Sequence, residues 1–352
     1  PTRLHRRAGR RRSSVRRNLE LNLGKICNNR CVFCLDARAP RESRSWVPTE
    51  RAVGELERGR ADGADSVGLL GGEPTAHPAI LEIVGRAREI GFRRIAISTN
   101  ALELADPALA RALVDAGVTR FSVSIHGHTP ALEDYLSGRD GNFRQKVAAI
   151  RNLVELRDQG LLPDNVSLNP VLTRPLLGAV PEFAWAFRKL GIQDVRYNFV
   201  RTDPCPDLAG ELTPGLGDVS REILRTVVVN THRLHMDLSF GDLPLCAFPW
   251  EILSSAELAR RTIGEARDLD TWVAVFIAPR DDSRDASRFH WSDRKRDALK
   301  TQPSSPCNRC KLTGPCEGVW RSYVDSHGTA GLSPITHVPD WLAPTRNLKS
   351  EI

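Results

Sequence analysis

A chain of 352 residues with a formal net charge of +7 is long enough for one large α/β domain with a smaller appendage. The positive excess lies in residues 1–17, where Arg3, Arg6, Arg7, Arg10, Arg11, Arg12, Arg16 and Arg17 stand with no acid among them. The rest is close to neutral, which gives no ground for a nucleic-acid-binding body. No apolar run approaches the ~20 residues that cross a bilayer, and no signal-like segment precedes the first strand. The expectation is therefore a cytoplasmic protein without a membrane span, and eight cysteines in a reducing compartment point to metal or redox chemistry rather than disulfides.

From Leu19 onward strand-like and helix-like segments alternate, the pattern of a parallel sheet covered by helices. Leu19–Leu23 is the first predicted strand, followed by a helix that Thr49 can cap and that runs through Leu56. Ser66–Leu70 is the second, with a helix over 78–90. Arg94–Ser98 is the third, with a helix over 107–116. Phe121–Ile125 is the fourth, followed by a helix over 143–159 whose Val147, Ile150, Leu153 and Leu156 share a face. Val166–Leu172 and Val195–Val200 are the fifth and sixth, each trailed by a helix, over 180–190 and 219–232. Past residue 235 the alternation is expected to stop, and the charged run 280–305, with Asp281, Asp282, Arg284, Asp285, Arg288, Lys295 and Arg296, reads as surface loop.

Between the first strand and its helix lies Cys27-Asn-Asn-Arg-Cys31-Val-Phe-Cys34. Three thiolates so spaced can bind three irons of a cubane cluster, whereas four cysteines are the usual set, so a loop of three leaves one iron for an outside ligand. The alternative is a zinc loop, which normally draws on four closed ligands in two separated pairs. Directly after the second strand comes Gly71-Gly72-Glu73-Pro74. Its glycines allow backbone to approach a ligand closely, and its carboxylate can accept from an ammonium group.

The cysteine spacing, Phe33 before the last cysteine, and the glycine motif resemble the radical S-adenosylmethionine (SAM) superfamily. The resemblance implies an α/β fold, a partial (βα)6 TIM-like barrel with a small cysteine-rich C-terminal domain, and ligands at the C-terminal strand ends. It implies a [4Fe-4S] cluster on Cys27, Cys31 and Cys34. SAM would chelate its open iron, and reductive cleavage would yield a 5′-deoxyadenosyl radical that abstracts hydrogen from substrate. Gly71, Gly72, Glu73 and Pro74 would hold the SAM amino group. The strand-end residues Ser98, Asn100 and Ser124, with Asn169 and Arg174 around the fifth strand, are further candidates for SAM contacts. His126 stands where many relatives have Asp. It either bonds SAM or substrate, carries a proton, or is a strand-end histidine satisfied by backbone. An external donor such as flavodoxin or ferredoxin would supply the electron.

A second set, Cys307-x2-Cys310-x5-Cys316, resembles the start of the SPASM and twitch extensions of that superfamily. Trp320 occupies the position of the usual next cysteine, so the expectation is one auxiliary [4Fe-4S] cluster with Cys246 as fourth ligand, a zinc knuckle being the alternative. Cys205 is left over near the predicted active face, as a packing thiol, a spare ligand, or a hydrogen-atom donor that would make the enzyme an epimerase. The expected organisation is an arm (1–17), a barrel (18–235), an auxiliary-cluster domain (236–335) and a tail (336–352). The expected substrate is a small polar natural-product precursor, a sugar or aminocyclitol, oxidised or epimerised. The alternative is a ribosomally made peptide, disfavoured because about eighteen residues before the first strand are too few for a folded leader-binding module. A cluster- or zinc-bearing scaffold that binds nucleic acid through the arm is the non-enzymatic reading, and it has no use for an open iron.

Overall fold

The computed structural model describes residues 17–36, 44–275 and 286–342. The arm up to residue 16, the run 281–285 and the tail beyond 342 lie outside the described residues.

Along β1 (Arg17–Asn22) Leu19 and Leu21 are buried, while Glu20 between them and Asn22 after them remain partly accessible. The same alternation recurs along β3 (Arg94–Thr99), β4 (Arg120–Val123) and β7 (Asp194–Phe199). Successive strand residues point to opposite faces, so one face packs against helices and the other lines an interior. The fold is α/β, with a mainly parallel sheet in the order β10–β9–β1–β2–β3–β4–β5–β7, and with β6 and β8 both paired to β7. Here β2 is Ser66–Leu70, β5 Val166–Leu168, β6 Val171–Leu172, β8 Asp237–Gly241, β9 Asp270–Val275 and β10 Ser287–His290. Register runs through Leu19↔Val67 and Ser98↔Ser122 to Leu168↔Val195. Among the described residues only β10 runs antiparallel to its neighbour in this sheet. The crossovers include α1 (Thr49–Ala61), α2 (Ile80–Ile90) and α3 (Pro107–Ala116), then α4 (Pro130–Ser137) and α5 (Asn142–Asp158) together after β4. Short α6 (Arg174–Leu177) precedes α7 (Val180–Arg188), and α8 (Ala209–Leu212) precedes α9 (Leu216–Val229).

The structure corrects the expected layout in four places. The sheet does not end at residue 235, because β8 continues it beyond β7 and β9 pairs in parallel with β1. Short helices between them, Trp250–Leu253 and Ala256–Thr262, are too brief to leave a periodic pattern. The fifth strand is broken at Asn169–Pro170, since proline has no N–H for the ladder. α4, unforeseen, is capped by the Thr129 side chain on Leu132 N–H and is too short for its apolar face to show. Finally, Lys295 and Lys300 of the supposed surface run are fully buried.

One buried ion pair ties α4 and α5 to the end of β4. Lys146 and Glu133, neither of them exposed, meet at 2.6 Å, and Lys146 also donates to the Ser124 carbonyl at 2.8 Å. Glu133 accepts the backbone N–H groups of His126 and Gly127. Removing one partner of such a pair strands the other charge in the interior. Lys146→Met is expected to lower unfolding stability by about 3–5 kcal/mol, read from urea denaturation. An unchanged midpoint would show that Glu133 is satisfied by backbone alone.

Candidate active site at the strand ends

The three-cysteine loop leaves β1 and rests on two supports. On one side Arg30 N–H and Val32 N–H donate to the Ser137 and Leu136 carbonyls at the end of α4. On the other, Gly72 N–H donates to Gly24 O and Glu73 N–H to Ile26 O, both at 2.8 Å. A Cβ at Gly72 would lie 2.0 Å from Ile26 O, and one at Gly71, where φ is +134°, 2.6 Å from Gly24 O. The two glycines thus make room for the cluster loop's own backbone, in addition to any ligand.

Within the loop Asn29 donates from its backbone to Cys27 Sγ and from its side chain to Cys31 Sγ, each at 3.4 Å. Asn100 Nδ2 lies 3.6 Å from Cys27 Sγ and 2.7 Å from Asn28 Oδ1. Burial, aided by the neighbouring Cys34, Glu133 and Cys27, pushes the Cys31 thiol up to about 12. As a bare thiol it therefore keeps its proton at neutral pH, and a bound metal would displace that proton.

The Glu73 carboxylate is fully buried. It accepts from Thr75 N–H at 3.0 Å and from the Thr75 and Thr99 hydroxyls and Asn100 N–H, each at 2.6 Å. Burial raises its pKa while these bonds oppose the rise. Its side chain fixes the β3 exit and, through Asn100, the environment of Cys27. What Gly71, Gly72 and Glu73 can offer a ligand is backbone, and Pro74 begins the short turn that follows.

Ser98 and Ser122 pair across β3 and β4 on the interior face, and Ser124 lies one step beyond Ser122 on it. Asn169 Oδ1 accepts from Asn198 Nδ2. Arg174 is tied to the Thr213 carbonyl at 2.8 Å. His126 is buried, its Nδ1 accepts from Val171 N–H at 3.2 Å, and its ring meets Phe33 edge-on at 4.8 Å. Burial, and secondarily Lys146, hold it well below the usual histidine range. The bond that its ring accepts from Val171 N–H fits the backbone-satisfied expectation. Cys205 is buried with Phe33, Leu136, Val200 and Leu212, and Cys31 and Val32 pack against this group.

The other four cysteines converge. Cys246, Cys307, Cys310 and Cys316 line one small cavity of about 30 Å³, walled otherwise by residues such as Pro244, Leu312 and Val319. N–H groups of Leu245 and Gly318 point at Cys316 Sγ at 3.5 and 3.3 Å, and that of Leu312 at Cys310 Sγ at 3.4 Å.

Sequence reasoning missed the charges of the interior. Arg196 on β7 pairs with Asp268 just before β9. Glu317, next to Cys316, holds Lys295 at 2.6 Å and Lys300 at 3.0 Å, and Asp242 after β8 lies 3.5 Å from Lys295. Glu265 accepts from Asp242 N–H. Glu20 faces this group from β1. Burial, then Asp268, push its carboxyl up to about 7, against Arg196 and Lys295. The one available signal was a charged residue between buried apolar neighbours within a strand, Glu20 on β1 and Arg196 on β7.

Comparison with known proteins agrees with this geometry. Residues 21–171 match the radical SAM superfamily profile. This is a radical SAM domain. The domain implies a [4Fe-4S] cluster and SAM, and the loop of Cys27, Cys31 and Cys34 with its N–H donors is a fitting ligand set for the former. The chain is 35% identical over 158 residues to a probable GTP 3′,8-cyclase of Metallosphaera sedula, a match covering 45% of this chain and 47% of the relative. It is 30% identical over 166 residues to that of Sulfolobus acidocaldarius, covering 47% and 50%. The match thus spans about half of each relative. Among solved structures, Streptococcus suis SuiB bound to S-adenosylmethionine superposes with a TM-score of 0.60 at 18% identity, over 93% of this chain and 78% of that one. The anSMEcpe structure with bound AdoMet gives 0.50 at 17%, over 62% and 63%. At these identities the likeness is one of fold. No helix among the described residues is long and apolar enough to cross a membrane.

The glycine contact is directly testable in the radical SAM domain. Gly72→Ala should push the Ile26–Cys27 backbone aside and lower the iron bound after anaerobic reconstitution. Wild-type iron content in that variant would show that the loop adjusts without losing its thiol geometry.

Proposed function

We propose that the protein is a radical SAM oxidoreductase or epimerase acting on a small polar molecule, with one auxiliary [4Fe-4S] cluster. The observation that carries this reading is the three-thiol loop seated on Gly71–Gly72 at the strand ends, near the partly accessible Ser98, Ser122 and Ser124. Bound at Cys27, Cys31 and Cys34, the cluster with SAM supplies a reductively generated 5′-deoxyadenosyl radical, the chemistry of the cofactor itself. This chain's residues hold and orient the reactants. Backbone of residues 71–73 would receive the SAM amino group, and Ser98, Ser124 and Asn169 would meet its polar atoms or those of substrate.

The cavity shared by Cys246, Cys307, Cys310 and Cys316 supports the auxiliary cluster. The N–H donors around the sulfurs favour thiolate, the form that a four-iron cluster and a zinc ion both take, and the close likeness of Cys307-x2-Cys310-x5-Cys316 to cluster-binding extensions favours the cluster. Four protein thiolates leave no open iron, so this site suits electron transfer better than substrate binding. An external donor of the flavodoxin or ferredoxin class would reduce the first cluster, in a reducing cytoplasm.

Peptide maturation is the second reading. A SuiB structure with its precursor peptide SuiA superposes with a TM-score of 0.51, a likeness of fold that accommodates such a substrate without selecting it.

Anaerobic reconstitution with iron, sulfide, SAM and a strong reductant should give about eight irons per chain and 5′-deoxyadenosine. Cys27→Ala should abolish 5′-deoxyadenosine. Cys310→Ala should retain it while the iron falls to about four. No 5′-deoxyadenosine from protein with intact clusters would overturn the assignment, and zinc in place of the second four irons would remove the auxiliary cluster.

A further inference from the structure

On the inward face where Arg94, Arg120 and Asp194 also stand, one group of charges does not balance among the described residues. Five carboxyls, Glu20, Asp242, Glu265, Asp268 and Glu317, face three cations, Arg196, Lys295 and Lys300. Each cation has a carboxylate in bonding range: Asp268 for Arg196, and Glu317 for both lysines. Two carboxyls are left without a cation. The second oxygen of Glu265 is sealed from solvent and meets no donor. Glu20 accepts no hydrogen bond from any described residue, yet it is partly open to the interior. Gly68 on β2 lies beside it in register, and a Cβ there would sit 3.5 Å from Glu20 Cγ. Gly241 on β8 leaves room for Arg196 and Asn198, whose atoms a Cβ there would meet at 2.6–2.9 Å.

A clasp between β7 and β9 needs only the Arg196–Asp268 pair, and it leaves the unpaired acids unexplained. A divalent cation is disfavoured because Lys295 and Lys300 already occupy the side of Asp242 and Glu317 that would hold it. An anionic substrate such as a nucleoside triphosphate would find no unpaired cation in this group, since Arg196, Lys295 and Lys300 are each held by a carboxylate. An ammonium group would instead find an unused acceptor at Glu20. Hydroxyls and amides of Ser98, Ser122, Asn169 and Asn198 lie on the same face for the polar body that carries it.

Resting on the radical SAM reading above and narrowing its substrate, we propose that Glu20 is a specificity residue that receives the ammonium group of an amine-bearing substrate. The amine belongs either to a small polyol or to a lysyl side chain of a peptide, and the two share this chemistry.

Isothermal titration of the reconstituted holoenzyme with SAM tests it without relying on turnover. The probes are glucosamine against N-acetylglucosamine, a blocked lysyl peptide against its Nε-acetyl form, and GTP. At least one amine should bind at least tenfold more tightly than its acetylated twin and more tightly than GTP, and the pair that does so identifies the source. Glu20→Gln should erase the difference between twins, and Glu20→Asp should keep part of it. Equal binding of the twins, tighter binding of GTP, no binding of either amine, or a discrimination unchanged in Glu20→Gln would each overturn the proposal. The wild-type comparison decides even where Glu20→Gln fails to fold. A protein that forms 5′-deoxyadenosine but ignores the amine loses this inference alone. One that discriminates amines but never cleaves SAM loses the radical reading.

Discussion

Everything at the rim of this barrel depends on how closely two backbones approach. The segment leaving β1 and the turn leaving β2 are joined by paired N–H···O bonds at 2.8 Å, a distance that any side chain at position 72 would prevent. That contact fixes where Cys27 begins. The buried carboxylate of Glu73 then carries the constraint one strand further, to Thr99 and Asn100, and Asn100 returns it to the Cys27 sulfur. Three consecutive strand ends thereby form one unit, and each thiol is placed by elements that have no other reason to meet.

The opposite wall of the site is held by charge. Lys146 and Glu133 share no exposure to water, and burying such a pair is favourable only when its remaining bonding capacity is met. Here the Ser124 carbonyl and the N–H groups of His126 and Gly127 meet it. The histidine is fixed by its backbone as much as by its ring. Phe33 packs edge-on against that ring, so the loop and the β4 exit are locked against each other through apolar contact.

The strand–helix alternation up to β7 and both cysteine sets were legible because they rest on local spacing. Leu19 and Leu21, or Ile95 and Ile97, declare a helix-covered face by themselves. What escaped depends on partners distant in the chain. Lys295 and Lys300 read as solvated in a charged run, and only the fold brings Glu317 and Asp242 to them. β9 is short and joins the sheet by pairing with β1, some 250 residues earlier, so its role is invisible in its own segment. Glu73 read as a ligand for an outside ammonium, and nothing nearby in sequence beyond Thr75 foretold that Thr99 and Asn100 would occupy it. His126 likewise gave no sign in its own segment that its ring would accept the Val171 N–H.

The four-thiol cavity draws Cys246 together with Cys307, Cys310 and Cys316, segments separated by roughly sixty residues of chain, and closing a loop of that length removes much of the freedom of the unfolded chain. A group bonded to all four would therefore act as a staple as well as an electron carrier. β9, β10 and the helices between β8 and the cysteine turn all lie inside that loop. Were that group the proposed iron cluster, iron supply during synthesis would set the proteolytic survival of this loop.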